Sequence, residues 1–170
     1  NTARLLEQIQ GAVAFDHVSF GLDGKQILTD IDFHIPAGGT LGIMGATGSG
    51  KSSLILLLQR FYDADQGTVR LDGEDVRTLS LQQLRGSINV VLQDVFLFSD
   101  TIEENIKMGK RRQLAMKDVR KAAQDAQASG FIERMDEQYQ TVIGERGVGL
   151  SGGQKQRISI ARALSKKSPV

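Results

Sequence analysis

The sequence predicts an α/β fold, and three observations lead to this prediction. Residues 13–92 contain short β-rich runs separated by turns, whereas residues 101–165 are rich in the helix formers Ala, Lys, Gln and Glu. A glycine-rich loop joins a strand-like run to a helix-like run in the first part. The 170 residues, 40% of them apolar, suit one domain with a core. We therefore expect residues 1–170 to form a single domain, with a β-rich core at about 13–92 and a helical subdomain at about 101–165.

Strands are predicted at five runs in the first part, because these runs are β-branched or apolar and are bounded by turn residues. In chain order they read AVAFDHVSF, IDFHI, TLGIM, GTVRLDG and INVVL. His17 and His34 fall in the first two runs, and we interpret both as ordinary sheet residues. The sheet is thus expected to come from the first half of the chain.

Helices are predicted at KSSLILLLQRFYD, directly after the glycine-rich loop, and later at TIEENIKM and AMKDVRKAAQDAQASGFIERM. Ser80 and Thr101 each stand three residues before Gln83 or Glu104. At this spacing the two side chains can satisfy free backbone amides in the first turn of a helix. Helices are therefore expected to begin at Ser80 and at Thr101.

Charge and cysteine content exclude several kinds of partner. The chain has 21 basic and 20 acidic residues, so no overall field attracts nucleic acid, and we expect no nucleic-acid partner. It has no cysteine, which excludes disulfides and thiolate metal sites. The longest apolar run, LILLL, is far shorter than the roughly 20 residues that span a bilayer. We expect this piece to be soluble.

The glycine-rich loop matches the pattern G-x-x-x-x-G-K-[ST] and lies between a predicted strand and a predicted helix, as that motif requires. Glycines allow successive backbone amides to face phosphate oxygens, and the helix that follows adds its positive dipole end. Lys51 can reach the β- and γ-phosphates, and the Ser52 hydroxyl can bind Mg²⁺. The sequence therefore predicts a nucleoside triphosphate site formed by Gly45, Ala46, Thr47, Gly48, Ser49, Gly50, Lys51, Ser52 and Ser53.

A second glycine-containing motif, SGGQ at residues 151–154, has the spacing of a capping box, and it begins a predicted helix whose Ile158, Ala161 and Leu164 share one face. Each glycine in the first turn costs about 0.5 to 1 kcal/mol of helix stability relative to Ala. A simple helix cap does not need them. The glycines therefore indicate that another group closely approaches these exposed amides.

Taken with Gln93 at the end of INVVLQD, the phosphate loop and LSGGQ resemble the motifs of ATP-binding-cassette (ABC) ATPases in both order and spacing. VFLFSDTIEENI and IGERG more narrowly resemble the nucleotide-binding domain of ABC exporters, and the likeness runs from about Val13 to the last residue. The resemblance implies a P-loop NTPase fold with an N-terminal β subdomain, a RecA-like core and an α-helical subdomain. It also implies ATP and Mg²⁺ as ligands, and ATP hydrolysis coupled to transport across a membrane.

The resemblance assigns roles to individual residues. Lys51 and Gln93 are implied to be catalytic, with Ser52 and Gln93 at Mg²⁺. A second nucleotide-binding domain, in a head-to-tail homo- or heterodimer, would present its ATP to four residues of the second motif, namely Ser151, Gly152, Gly153 and Gln154.

Contact with the membrane domain is implied for two further segments. The loop of Phe96, Leu97 and Phe98 would touch the transmembrane domains of the same transporter, although such an apolar cluster also fits a core. Glu145 and Arg146 resemble the exporter loop that senses those domains. The domain would lie at the cytoplasmic face of a membrane, as part of an integral membrane transporter.

Two departures from the family pattern stand out. Leu22 occupies the place of the aromatic residue that stacks on adenine, so it can cover the base only by apolar contact. The family also continues past the point where this sequence ends, into a strand with a second Mg²⁺ aspartate and the catalytic glutamate. We therefore expect a fragment with little ATPase activity alone.

Two alternatives remain open. One is a non-catalytic, ATP-gated dimerisation half of a heterodimeric transporter, which Leu22 favours slightly. The other is a DNA-repair type of ABC ATPase, which fits less well because no coiled coil separates the two phosphate motifs.

Overall fold

The computed structural model describes residues 5–108, 114–144 and 149–170, and the chain separates into two compact units. The first comprises residues 1–88 with 169–170, and the second residues 89–168. The elements of the first unit are β1 (Val13–Leu22), β2 (Lys25–Ile35), α1 (Lys51–Leu58), β3 (Gln66–Leu71), β4 (Glu74–Asp75) and α2 (Leu81–Gly86). Those of the second are β5 (Asp100–Thr101), α3 (Ile102–Lys107), α4 (Met116–Asp125), α5 (Ser129–Ile132), a 3₁₀ turn (Gln138–Gln140), β6 (Val142–Ile143) and α6 (Gly152–Leu164).

The first unit is built around an antiparallel sheet with the strand order β2-β1-β3-β4. Strand β1 pairs with β2 on one side and with β3 on the other, so its backbone groups find partners on both edges. Four of its apolar side chains are buried with Leu54 and Leu57 of α1 in the core of this unit, namely Val13, Phe15, Val18 and Phe20. Phe15 stacks on Phe33 of β2, with ring centroids 4.7 Å apart.

A bulge interrupts β1 at Asp16 and His17. The buried residues Phe15 and Val18 are three positions apart, whereas alternation along a regular strand would place them two apart. The register with β2 shifts at this point, and His17 has a φ of 49°. One extra residue thus restores the apolar side chains to the core face.

His17 is therefore more than the ordinary sheet residue expected from the sequence. Its side chain is exposed, with Nδ1 2.8 Å from Oδ1 of Asp30 and Nε2 3.5 Å from Oδ2 of Asp32. The hydrogen bond to Asp30, followed by the charges of Asp30 and Asp32, raises the pKa of His17 from its ordinary value of 6.5. His34 does lie in regular pairing, opposite Ala14.

Two of the five predicted strands are wrong. The runs TLGIM and INVVL have no regular secondary structure, and Met44 is 97% and Leu92 64% exposed. A strand requires hydrogen-bonding partners along its edge, and no strand in the described part of the chain pairs with either run. Local β-propensity therefore did not suffice here, because strand formation depends on distant residues.

The predicted helix starts at Ser80 and Thr101 are confirmed. Each side chain accepts a hydrogen bond from the backbone N–H three residues later. The Gln83 amide does not return to Ser80, since it donates to the carbonyl of Leu6 and accepts from the Leu6 N–H. The long helical segment predicted after residue 114 is divided into α4 and α5, because Gln127 adopts a left-handed φ of 57°.

The second unit has its own core. It is formed by apolar side chains from α3, α4, α5, α6 and the adjoining loops, all at most 7% exposed, among them Leu97, Ile102, Ile106, Val119, Ile132, Tyr139, Ile143, Ile158 and Ala161. Strands β5 and β6 form a two-stranded antiparallel sheet at its edge. Within the described ranges, no helix has both the length and the apolar character needed to cross a membrane.

Replacing Gly67 by Ala tests the bulge. Gly67 has a φ of 77°, and a Cβ there would overlap the backbone carbonyl oxygens of Asp16 and His17. Gly73 is the matched control, because its φ is 81° but a Cβ would meet nothing within 4 Å. We expect Gly73→Ala to lower the free energy of unfolding by about 1–2 kcal/mol and Gly67→Ala by roughly 3 kcal/mol or more, measured by urea denaturation. If the two substitutions lowered the free energy of unfolding equally, Gly67 would not lie as close to the carbonyl oxygens of Asp16 and His17 as the structure places it.

A pH titration tests the His17 pair. Because the pKa of His17 is raised on folding, its protonated form stabilises the fold. That contribution is complete below the unfolded pKa and is lost as pH rises through the folded pKa. We expect NMR to give His17 a pKa above 6.5, and Asp30→Asn to lower it. A His17→Gln variant should lack this part of the pH dependence of stability. An unchanged His17 pKa in Asp30→Asn would show that the pair is not formed.

Candidate nucleotide-binding site

The phosphate loop of the first unit has the backbone that a phosphate site requires. Gly48 and Gly50 have φ values of 81° and 89°, in the left-handed region that glycine adopts at low cost. Residues 44–49 are all exposed, and helix α1 begins at Lys51 with no side chain capping its first turn. The helix N-terminus therefore leaves backbone donors available to an anion.

Strand β2 determines where the loop can lie. A Cβ on Gly50 would be 2.8 Å from Cδ2 of Leu28 and 3.0 Å from Cγ2 of Ile27. Only a glycine allows the loop to approach these two β2 residues so closely. The sheet thus holds the end of the loop against the start of α1.

Lys51 directs its ammonium group back into the loop. Its Nζ lies 2.8 Å from the carbonyl oxygens of Gly45 and Ala46, and 3.4 Å from Oγ of Ser49. A Cβ on Gly45 would be 2.8 Å from that same hydroxyl oxygen, so this position also favours glycine. The lysine is therefore held over the loop, where it can exchange carbonyl oxygens for phosphate oxygens.

A cleft of about 320 Å³ opens beside the loop. It is lined by Lys25, Gln26, Ile27, Gly48, Gly50, Lys51, Ser52 and Ser53. Leu22, which is 38% exposed, pairs with Lys25 across the β1–β2 turn and so lies next to this lining. The β2 residues of the cleft were missed in the sequence analysis, although their place three to five residues after the predicted base contact Leu22 was a usable signal.

A larger cavity, of about 580 Å³, lies in the second unit and is bordered by Ile102, Met135 and Val142 among others. It contains no residue of the predicted phosphate site. Its size alone therefore does not identify it as the nucleotide site, and the chemistry of the lining favours the smaller cleft.

The signature helix α6 begins in the second unit with a complete capping box. The Ser151 hydroxyl accepts from the Gln154 N–H at 3.3 Å, and Gln154 Oε1 accepts from the Ser151 N–H at 2.9 Å. A Cβ at Gly152 or Gly153 would meet nothing within 4 Å. Packing within the described chain therefore does not require either glycine.

The face of α6 that carries Ile158 and Ala161 enters the core, where both side chains are fully buried. Leu164, expected on the same face, is 47% exposed. Leu164 is the last residue of the helix, so it lies at the margin of the packed face.

Gln93 and the residues after it form a segment of the second unit without regular secondary structure. Gln93 is exposed, Phe96 is 52% and Phe98 38% exposed, and Leu97 between them is fully buried. The two exposed rings meet edge to face with centroids 4.8 Å apart. The apolar cluster therefore divides, with one residue in the core and two at the surface. Glu145 and Arg146 lie outside the described residues.

Comparison with known proteins now identifies the family. A family model described as "ABC transporter" matches residues 28–170. The chain belongs to the ABC transporter family. The predicted P-loop NTPase fold of ABC ATPases agrees with a solved structure entitled "Structure of a bacterial Atm1-family ABC exporter with ATP bound", to which the chain is similar with a TM-score of 0.90 and 40% identity. That match covers 98% of this chain and 29% of the other.

Curated relatives of this ABC transporter chain are similar over nearly its whole length. It is 48% identical over 167 residues to the ATP-dependent lipid A-core flippase of Sodalis glossinidius (strain morsitans), and 44% identical over 169 residues to that of Escherichia coli (strain K12). These matches cover 97% and 98% of this chain, which spans 29% of the length of each relative.

The predicted site residues of this ABC transporter chain are divided between the two units. The phosphate loop and Leu22 belong to the first unit, whereas Gln93 and the SGGQ motif belong to the second. Gln93 was predicted to lie at the end of a strand, and the structure places it in a bend instead. Within the second unit, side chains of α6 contact the segment around Gln93.

Proposed function

We propose that this chain is the ATP-binding domain of an ABC exporter, which couples ATP binding and hydrolysis to the transport of a substrate across a membrane. The observation that carries this proposal is the geometry of the phosphate loop. A lysine ammonium lies over a loop with two left-handed glycines, at the uncapped start of a helix. These features together select a polyphosphate rather than a single carboxylate.

Binding and charge neutralisation are the contributions of this chain's own residues. The amides of residues 45–53 and the Lys51 ammonium would stabilise the charge on the phosphates, which is the main requirement in phosphoryl transfer. The hydroxyl of Ser52 and the amide oxygen of Gln93 are suitable hard ligands for Mg²⁺. When bound, the ion would neutralise phosphate charge and orient the reacting groups.

Hydrolysis needs a further group to orient the attacking water. None of the described residues that line the cleft is a carboxylate. We therefore propose that this group comes from residues other than those that line the cleft, and that the cleft residues alone support only slow turnover of ATP.

A second nucleotide-binding domain is the proposed partner of the SGGQ motif. Gly152 and Gly153 are exposed and have open space where a side chain would stand. Because nothing in the described chain uses that space, the ATP on the phosphate loop of a second domain would fit there, in a head-to-tail homo- or heterodimer.

The transmembrane domains of the same transporter are the proposed partner of Phe96 and Phe98. The two exposed rings pack edge to face on each other, and the buried Leu97 between them is part of the core, so the rings form an apolar patch on the surface. The domain would therefore lie at the cytoplasmic face of a membrane. We expect no nucleic-acid partner.

Leu22 favours a second candidate, the non-catalytic half of a heterodimer that binds ATP but leaves hydrolysis to its partner. Its exposed aliphatic side chain offers the base a smaller contact than a ring would. Measured turnover in the complete transporter, with and without the partner half, distinguishes this candidate from the first.

Nucleotide binding is tested by calorimetry with Mg·ATP on the chain and on Lys51→Ala. Loss of the ammonium removes charge-assisted hydrogen bonds to phosphate, so we expect the dissociation constant to rise by about 10- to 100-fold. Lys121→Ala is the control, because Lys121 lies on the exposed face of α4 and pairs with Asp125. A wild-type chain that is folded by circular dichroism but releases no heat would contradict the proposal.

Gly153→Ala tests the proposed use of the signature motif. Because no atom lies within 4 Å of the new Cβ and Ala is the better helix former, we expect the free energy of unfolding to rise by about 0.5 kcal/mol. The same substitution should weaken ATP-dependent dimerisation, measured by sedimentation, by making the close approach of the partner's ATP less favourable. A variant that is more stable and dimerises normally would show that the glycine serves no partner.

A further inference from the structure

The segment from Leu92 to Phe98 is attached to two helices of the second unit. Near its start, Gln156 Nε2 of α6 donates a long hydrogen bond of 3.5 Å to the carbonyl oxygen of Leu92. Further along, Nη1 of Arg162 on α6 donates to the carbonyl oxygen of Phe96 at 3.0 Å. Gln93 lies between these two points and is itself exposed. Its position therefore depends on what holds the backbone on each side of it.

Asn105 of α3 holds Phe98 through both of its backbone polar groups. Oδ1 of Asn105 accepts from the Phe98 N–H at 2.9 Å, and Nδ2 donates to the Phe98 carbonyl oxygen at 3.0 Å. The side chain of Asn105 is only 1% exposed, and Nδ2 also donates to the carbonyl oxygen of Thr101. A buried amide with these partners fixes one geometry, because any displacement would leave polar groups unpaired.

Arg162 connects this asparagine to the signature helix. Its Nε donates to the Asn105 carbonyl oxygen at 2.8 Å and its Nη2 to Oδ1 at 3.1 Å. The guanidinium carbon lies 6.0 Å from the centroid of the Phe98 ring. Three nitrogens of one planar group thus bind three acceptors on two segments, a geometry that the single ammonium of Lys cannot reproduce.

Within the described residues, the guanidinium of Arg162 donates to three neutral oxygens. Among the residues described, no Asp or Glu is within ion-pair distance of it, and burial lowers the pKa of the guanidinium. A partly buried cation satisfied only by neutral oxygens adds less stability than an apolar side chain of similar size could. Its placement therefore fits a role in geometry better than a role in stability.

We propose that Arg162 and Asn105 are positioning residues. They keep the backbone at Gln93 in a fixed position relative to the signature helix α6. The inference rests on the proposed function, because the role of Gln93 at Mg²⁺ is part of it. The SGGQ motif stands at the start of α6, and Arg162 lies further along the same helix. A displacement of α6 must therefore carry the backbone on both sides of Gln93 with it. One helix thereby links the site that meets the partner's ATP to the residue that meets the metal.

The test is Arg162→Lys in the complete polypeptide that contains this chain. Lys retains the charge and most of the apolar stem, but its single ammonium group cannot reach all three oxygens to which Arg162 donates. We expect kcat for ATP hydrolysis to fall by about tenfold or more, since small displacements of a reacting group are costly, while KM for ATP stays within about twofold. The Mg²⁺ concentration for half-maximal activity should rise, and amide hydrogen exchange in residues 93–98 should become faster.

Arg157→Lys is the matched control on the same helix. Arg157 is exposed and donates only one hydrogen bond, to the Gln127 carbonyl oxygen at 3.3 Å. This control should leave kcat, the Mg²⁺ requirement and exchange in residues 93–98 unchanged. Asn105→Asp is a second variant, since it keeps the acceptors for Phe98 and Arg162 but loses the donor to Phe98. It should also raise the Mg²⁺ requirement.

The outcomes separate the two proposals. If the wild-type protein shows no ATP hydrolysis that depends on Lys51, the proposed function is wrong. Amide hydrogen exchange in residues 93–98 then tests by itself whether Arg162 holds this segment, since it should still be faster in Arg162→Lys than in the wild type. If hydrolysis is normal but Arg162→Lys leaves the Mg²⁺ requirement and exchange unchanged, the positioning role is overturned while the proposed function stands. A parallel shift of kcat, KM for ATP and melting temperature would show a purely structural role and would also overturn it.

Discussion

The first unit depends on the pairing of β1 with strands on both of its edges. This pairing places β2 beside the core, and the side chains of Ile27 and Leu28 on β2 then leave room only for a glycine at position 50. The start of α1, and with it the phosphate loop, is therefore located by strand pairing some distance away in sequence. A site made of backbone amides cannot be precise unless the backbone itself is held, and here the sheet holds it.

Features that are encoded over a few residues could be predicted from the sequence. The helix start at Lys51 after the glycine-rich loop, the helix starts at Ser80 and Thr101, and the capping box of α6 each depend on residues within one or two turns, and the structure has all of them. Features that depend on distant partners could not be predicted in this way. The runs at 40–44 and 88–92 have the composition of strands, but composition does not supply an edge with which to pair.

Some missed features did leave a signal. The bulge in β1 follows from the apolar pattern of VAFDHVSF, because two buried residues three positions apart cannot lie on the same face of a regular strand. The network of Asn105 and Arg162 left no such trace. An asparagine within a helical segment and an arginine on an amphipathic helix are both ordinary, and only the fold shows that one backbone segment satisfies them both.

Because Lys51 already donates hydrogen bonds to Gly45 and Ala46, the affinity of the loop for a phosphate reflects a difference between two sets of contacts. The ammonium already has two carbonyl oxygens at 2.8 Å, so a phosphate does not meet a bare cation. Association is an exchange of one set of oxygen ligands for another, and its net free energy is a small difference between two large attractions. Modest changes in the loop backbone can thus shift occupancy considerably while every residue named in the motif stays the same.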